Sequence, residues 1–275
     1  MTYAAVIAHV QADPQAAPRL KCAVEVARRF NAAIIGVGAE SVPPLAFDGG
    51  YYSMQADWFL AMRETIEKRL KAAGATFREA TESFGDRAIF LEGLELPTPA
   101  MAAASRAADL IIAGGASRGT RDIYSACDTA ELAILSGRPV LVAPSRAPAL
   151  EAKRVLVAWK DTREARRALT DATPFLEMAE QVKVIAISSV ADAPAAQAQV
   201  DDVAAALNRR GAHATAEVVH DAHPSGFQVL RQASLAGADL IVAGAYGHSR
   251  LGEWVFGGMT ADLLSQDEVY VLISH

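Results

Sequence analysis

The chain has 275 residues, 52% of them hydrophobic and 21% charged, with a formal net charge of −6. That much apolar material excludes intrinsic disorder and supports a substantial core, in one large or two small domains. The negative balance excludes general nucleic-acid binding, which needs clustered positive charge; Arg163/Arg166/Arg167 and Arg209–Arg210 read as solvated helix faces.

Two cysteines, Cys22 and Cys127, lie in separate apolar segments without a CxxC pair, so neither a zinc site nor a disulfide framework is indicated. They read as two small buried thiols. No apolar run reaches the length that crosses a bilayer. Met1 leads into a strand pattern without a basic region or cleavage site, so a cytoplasmic protein without membrane association is expected.

In chain order, Tyr3–Val10 reads as a strand, Leu20–Phe30 as an amphipathic helix and Asn31–Val37 as a strand, a β-α-β unit that favours parallel pairing. Ser41–Ser53, with prolines, glycines and tyrosines, reads as a long loop. A helix over 55–82, with an interruption near Gly74, precedes a strand at Ala88–Glu92. Pro97 opens a helix through Ala107, Asp109–Ala113 is a strand leading into a glycine-containing loop, and a helix at Thr129–Leu135 and a strand at Pro139–Ala143 close the first half. After a bridge at Pro144–Leu150 the same grammar returns. It runs as strand Arg154–Trp159, helix Arg163–Ala179, strand Val182–Ile187, helix Ala195–Arg209, strand Ala212–His220, helix Gly226–Ala236, strand Asp239–Ala243 and strand Val269–Ser274.

The halves can be matched residue by residue. Ala-Asp-Leu-Ile-Ile-Ala-Gly114 corresponds to Ala-Asp-Leu-Ile-Val-Ala-Gly244, 130 residues on, whereas the opening strands lie about 150 apart, so the first half carries an insertion at about 41–63. The fold expected is α/β: two tandem, doubly wound, parallel five-stranded domains, residues 1–146 and 152–275, their sheets packed as a pseudo-symmetric pair. The apolar last strand suits edge pairing between repeats, between chains, or both, giving a pseudo-dimeric monomer or a homodimer.

Ligands of such sheets sit beyond the carboxyl ends of the strands, where strand order reverses. The segment Gly244–Thr260 occupies such a place, between a strand and a helix start at Ala261–Leu264, and its glycines let backbone N–H groups converge on an anion. Lys160–Asp161 follows the first strand of the same repeat, so carboxylate and loop face one crevice if the two strands are neighbours.

Within the segment the spacing is Gly244, two residues, Gly247, nine residues, Gly257, then Gly258 and Thr260. With the doubled α/β unit, this resembles the universal stress protein family and specifically its tandem-domain members. The resemblance covers essentially the whole chain. It implies a stress-response protein whose second domain binds ATP, ADP or AMP, with or without Mg, and whose occupancy regulates a protein partner. It further implies that Asp161 contacts adenine or ribose and that the Ile187 backbone reads the adenine edge. Gly244 and Gly247 would pass close to ribose and phosphates, while Gly257, Gly258 and Thr260 would hold the phosphates. Where the family signature has Ser or Thr after its third glycine, this chain has Gly258. The lost hydroxyl is worth about 1.5–3 kcal/mol to a charged acceptor, about one to two decades in affinity.

The first half departs further, with Ser117, Cys127 and Asp128 at the second glycine, third glycine and following small residue; Asp128 would repel a phosphate, so this copy reads as degenerate. Asp13 is the nearest counterpart of Asp161. Neither a P-loop nor a Rossmann fingerprint occurs, and no Gly-x-Ser-x-Gly elbow supports a hydrolase. His213 and His220 fall at opposite ends of one strand, too far apart to share a metal, and His220 with His223 reads as a polar strand-to-helix loop. Trp159 reads as core or interface, and Trp254 as part of a lid or dimer contact. Three alternatives remain at this stage. A slow ATP hydrolase or nucleotidyl transferase at the same loop would need a group to position water and a metal ligand; Asp161 is the metal-ligand candidate, and His248 and Glu253 are near in sequence. The others are a scaffold that binds no nucleotide and a pocket for a different ligand, with the aromatics of the 41–63 insertion as its lid.

Overall fold

A computed structural model describes residues 2–11, 16–44, 52–114, 122–146, 148–221, 225–245 and 258–275, with backbone alone for 52–55. The first half runs β1 (Ala5–His9), α1 (Ala16–Arg29), β2 (Ala33–Ala39), α2 (Tyr52–Ala80), β3 (Ala88–Gly93), α3 (Pro97–Ala104), β4 (Leu110–Gly114), α4 (Thr129–Ser136) and β5 (Val140–Ala143). The second runs β6 (Arg154–Ala158), α5 (Arg163–Asp171), α6 (Thr173–Leu176), β7 (Gln181–Ser188), α7 (Ala193–Asn208), β8 (Ala214–His220), α8 (Gly226–Ala236), β9 (Leu240–Gly244), α9 (Gly258–Ser265) and β10 (Tyr270–Ser274).

The two halves share one ten-stranded sheet, in the order β3-β2-β1-β4-β5-β10-β9-β6-β7-β8. Every neighbouring pair is parallel except β5 and β10, whose antiparallel pairing (Val142 to Val271, Leu141 to Leu272, Val140 to Ile273) joins the halves. The pseudo-symmetric packing is therefore edge to edge. It places β10 inside the sheet, paired on both sides, so the last strand serves the contact between repeats and has no edge left for another chain.

The central strands are buried on both faces, as helix-covered parallel strands require. Val6 and Ala8 enter one apolar cluster and Ile7 the other. The first cluster lies under α1, α2, α5, α6 and α7, the second under α3, α4, α8 and α9. A ring contact crosses between the halves: Tyr3, Phe30 and Phe175 meet with centroids 5.0–5.6 Å apart, and the Tyr3 hydroxyl donates to the Asp171 carbonyl at 2.6 Å.

Two local expectations are corrected. The helix expected over Arg163–Ala179 is two helices, because Pro174 lacks the N–H that would continue the ladder of α5. In the other case α2 passes through Gly74 without interruption. A Cβ on Gly74 would lie 2.7 Å from the Phe90 ring, so that glycine lets the helix approach β3. The arginines of α5 are ion-paired near the helix, Arg163 with Glu164 at 3.1 Å, Arg167 with Asp171 at 3.6 Å and Arg166 with Asp161, and Arg167 also donates to the Gly137 carbonyl of the first half. They form a solvated, ion-paired helix face.

Candidate functional site

Strand order reverses between β6 and β9, which are direct parallel neighbours (Val155 to Leu240 through Ala158 to Ala243). The turn carrying Asp161 and the glycine that closes β9 therefore leave the sheet side by side at its carboxyl end. Gly247 and Gly257 lie outside the described residues, as do Asp13, Ser117, His223, His248, Glu253 and Trp254.

Ile187 is placed by the ladder. Gln181 donates to the Lys153 carbonyl and Trp159 donates to the Ile185 carbonyl at 2.7 Å, so the odd-numbered residues of β7 direct their backbone groups toward β6. β6 ends at Ala158, two residues short of a partner for Ile187. The Ile187 N–H and C=O thus face the gap above the end of β6, while its Cα pairs with Val219 of β8. Beside the same gap, Trp159 is 9% exposed, and its indole Nε1 is buried with no hydrogen-bond partner. Such an orphan donor costs about 1–3 kcal/mol and calls for an acceptor.

Among the described residues nothing lies within 4 Å of a Cβ built on Gly258, and Thr260, two residues further in, is buried. α9 begins at Gly258, ahead of the expected start at Ala261, so residues 258–260 of the glycine segment belong to the helix's first turn. The first N–H groups of a helix have no intrahelical acceptor and carry a partial positive charge. α9 is held close to α8 at Gly226, where a Cβ would come within 2.4 Å of Asp262 Cβ and 2.7 Å of the Met259 carbonyl oxygen.

Two of the expected ligand residues have local structural roles. A Cβ on Gly244 would lie 2.5 Å from the Ala165 nitrogen and 2.7 Å from the Glu164 carbonyl carbon, so this glycine admits the first turn of α5 against β9. Asp161 is exposed and ion-paired with Arg166, and the neighbouring Thr162 caps α5 by accepting from the Ala165 N–H at 3.3 Å.

The corresponding place in the first half is filled. Val10 donates to the Val37 carbonyl as Trp159 does to that of Ile185, which makes Ala39 the counterpart of Ile187 and His9 that of Ala158. His9 is 3% exposed, and its Nε2 lies 3.4 Å from the Ala39 carbonyl oxygen, the backbone group equivalent to the one Ile187 turns to the gap. Buried Arg19 donates from Nε to the His9 carbonyl at 2.8 Å. Glu40, one residue beyond Ala39, is also buried and is bound by Arg69 through both carboxylate oxygens. Burial pushes the Glu40 carboxyl above the usual range, and the Arg69 hydrogen bonds and charge pull it part of the way back.

At α4 the helix start holds its own anion. Asp128 Oδ1 accepts from the N–H groups of Ala130 at 2.9 Å and Glu131 at 3.1 Å. The register of the match also shifts. Ile111 pairs with Val140 and Ile241 with Val271, so beyond Gly114 the offset grows from 130 to 131. Buried Thr129 then matches buried Thr260, Cys127 matches Gly258 and Asp128 matches Met259. This corrects the sequence match of Cys127 to Gly257 and Asp128 to Gly258 by one residue. The reason is one extra residue between Gly244 and Thr260, relative to Gly114 and Thr129, which spacing alone does not locate. Both thiols are pushed up to about 12 by burial, Cys22 within the core and Cys127 half-buried beside Asp128.

His9, Arg19 and the orphan indole of Trp159 are the features sequence reasoning missed. The single available signal was a histidine ending an otherwise apolar strand. Away from the crevice, a groove of about 680 Å³ lined in part by Arg154, Glu180, Lys183, Asn208 and His213 opens at the amino ends of β6, β7 and β8. Among the described residues no group of three or more metal-ligating side chains occurs, and no helix is long and apolar enough to cross a membrane.

No family model matches the chain, and no curated protein matches it. Solved structures do. A universal stress protein from Archaeoglobus fulgidus DSM 4304 is similar over 98% of this chain and 95% of its own, with 16% identity and a TM-score of 0.75. A functionally unknown protein from Pseudomonas aeruginosa PAO1 is similar over 99% of this chain and 92% of its own, with 15% identity and a TM-score of 0.58. The class is thereby defined at the level of fold: an α/β protein with the universal stress protein fold, its ten strands fitting two such units in tandem.

Proposed function

We propose that the second unit, residues 152–275, binds ATP or a related adenine nucleotide in the β6/β9 crevice, and that occupancy tunes contact with a protein partner in a stress response. The observation that carries this reading is the contrast at one place in the fold. The first unit meets its crevice backbone and its helix start with its own His9 and Asp128. The second has Ala158 and Met259 there, with Ile187 facing the gap and, among the described residues, nothing within 4 Å of a Cβ on Gly258.

In this reading the Ile187 N–H and C=O hydrogen-bond the edge of a base, as backbone groups facing a gap can. The first N–H groups of α9, from Gly258 onward, hold phosphate oxygens, and the helix dipole adds to their attraction. Gly247 and Gly257 complete the cradle by the family resemblance, and Thr260 supports the helix turn beneath it. Asp161 reaches the ribose side only by leaving Arg166, an exposed pair worth about 0–1 kcal/mol. Mg would act on the phosphates alone. The name of the Archaeoglobus protein supports the stress-response role, and its fold supports the position of the crevice.

Titration calorimetry with ATP, ADP and AMP, with and without Mg, tests the proposal. One site per chain is expected. No heat at protein concentrations of about hundreds of micromolar, where even millimolar affinity registers, would favour a scaffold that binds no nucleotide. Phosphate release that disappears in Asp161→Asn would make the site an enzyme's.

A further inference from the structure

The groove at the amino ends of β6, β7 and β8 lies at the opposite end of the sheet from the crevice. Its volume of about 680 Å³ falls in the range of small-molecule sites, about 300–1,000 Å³. Two of its polar side chains are spent on the fold. Asn208 clasps Ala214, donating from Nδ2 to its carbonyl at 3.0 Å and accepting its N–H at 2.8 Å. Lys183 is ion-paired with Glu217 of β8 at 2.6 Å. Arg154, Glu180 and His213 line the same groove, and among the described residues their side chains make no hydrogen bond or ion pair. Arg154 is nevertheless held in place. A Cβ on Gly237, which caps α8 at φ 59°, would lie 3.2 Å from Arg154 Nη1, so the guanidinium rests against the carboxyl end of that helix. The partial negative charge there favours a cation.

The first half shows what fits in this place. With Ala39 matched to Ile187, Ile34 corresponds to Val182. Ile34 pairs with Ala88 and Val182 with Ala214, so Arg87 is the counterpart of His213, and Asn31 and Ala32 are those of Ala179 and Glu180. Arg87 donates from Nη1 to the Asn31 carbonyl at 3.2 Å, to Asn31 Oδ1 at 2.8 Å and to the Ala32 carbonyl at 3.4 Å. A guanidinium of the chain itself thus occupies this corner of the first half. In the second half, among the described residues, no side chain donates to the Ala179 or Glu180 carbonyl. That half has lost the guanidinium and gained two charges, since Arg154 and Glu180 stand where the first has Ala5 and Ala32.

We propose that this groove binds a free basic amino acid of the arginine type. Its carboxylate meets the Arg154 guanidinium, a charge-assisted pair, and its own cationic group takes the place of Arg87, at the carboxylate and carbonyl of Glu180. The site is separate from the crevice and stands whether or not nucleotide binds there.

Titration calorimetry of the full chain with L-arginine, at millimolar concentrations, tests this. One site per chain is expected. Agmatine, which lacks the carboxylate, and butyrate, which lacks the cation, should each bind at least about tenfold more weakly. Arg154→Gln and Glu180→Gln should each lower the affinity for L-arginine at least about tenfold. His213→Arg, which supplies the first half's guanidinium, should abolish binding. All three positions are exposed, so if one variant fails to fold, the others and the two analogues read the same groove. In nuclear magnetic resonance spectra the amides of Lys183, Thr215 and Ala238 should shift with L-arginine, and those of Ile187 and Gly258 should not. No heat with L-arginine, agmatine or butyrate binding as tightly, affinity indifferent to both Arg154→Gln and Glu180→Gln, or shifts confined to the crevice amides would overturn the proposal.

Discussion

The two halves place different chemistry at one point of one fold. In the first, His9 reaches the Ala39 carbonyl and Asp128 caps α4. In the second, Ala158 and Met259 stand at those positions, Ile187 faces the gap beyond the end of β6 and, among the described residues, nothing lies within 4 Å of a Cβ on Gly258. A crevice at a switch point is therefore a property of the fold, whereas a binding site is a property of what the chain leaves unfilled there. Two polar side chains, a histidine at a strand end and an aspartate at a helix start, are enough to convert one into the other.

Transplanting the difference gives the largest expected effect. Met259→Asp puts the carboxylate of the first unit into the register of the second, where it meets the α9 N–H groups and repels phosphate. Nucleotide affinity should fall by about 100-fold, near 2.7 kcal/mol, and urea unfolding should show the fold intact. In the opposite direction, Gly258→Ser restores the hydroxyl expected at this position, where a Cβ meets none of the described residues. An affinity gain of about tenfold or more is expected by calorimetry, and no gain would mean that phosphate does not lie at this helix start.

Gly244→Ala separates packing from binding. The new methyl would meet the α5 backbone, where neither partner is a flexible side-chain end, so a loss of about 1–3 kcal/mol in urea unfolding is expected without any nucleotide present. Unchanged stability would return Gly244 to a purely ligand-facing role. Asp128→Ala removes the α4 cap and should cost about 0.5–2 kcal/mol. It should create no second nucleotide site, because His9 still fills the crevice. A stoichiometry near two in that variant would show that the carboxylate alone closes the first unit.

The smallest effect concerns pH. Burial raises the Glu40 carboxyl, with Arg69 opposing, so the native state favours its protonated form relative to the unfolded chain. The contribution of Glu40 to stability is then fullest in acid and declines as pH rises through the folded-state value. Wild-type stability minus that of Glu40→Gln should accordingly fall as pH rises above the ordinary glutamate value of about 4.3. A difference that grows with pH would place the shift in the other direction.

The strands were legible in the sequence because runs such as Leu110–Gly114 and Leu240–Gly244 are apolar on both faces and repeat. The parallel order followed from short connections. The merging of two sheets into one was left open, because pairing of β5 with β10 depends on two distant edges meeting. Likewise, the split at Pro174 was hidden by a helical pattern that continues through it. Within the site, glycine spacing located the crevice but could not separate Gly244, which admits a helix, from Gly258, which leaves space. The one-residue slip between Gly244 and Thr260 was invisible without strand register. The filling of the first crevice was legible only in part: Asp128 stood out as a charge, but the reach of His9 to Ala39 is a tertiary contact.

Hydrogen exchange with and without saturating ATP tests the central contrast most directly. The account predicts new protection at the amides around Ile187 and at Gly258–Thr260, with none at Ala39 or at Ala130 and Glu131. Protection at the first-unit amides, or none at the second-unit amides, would contradict it.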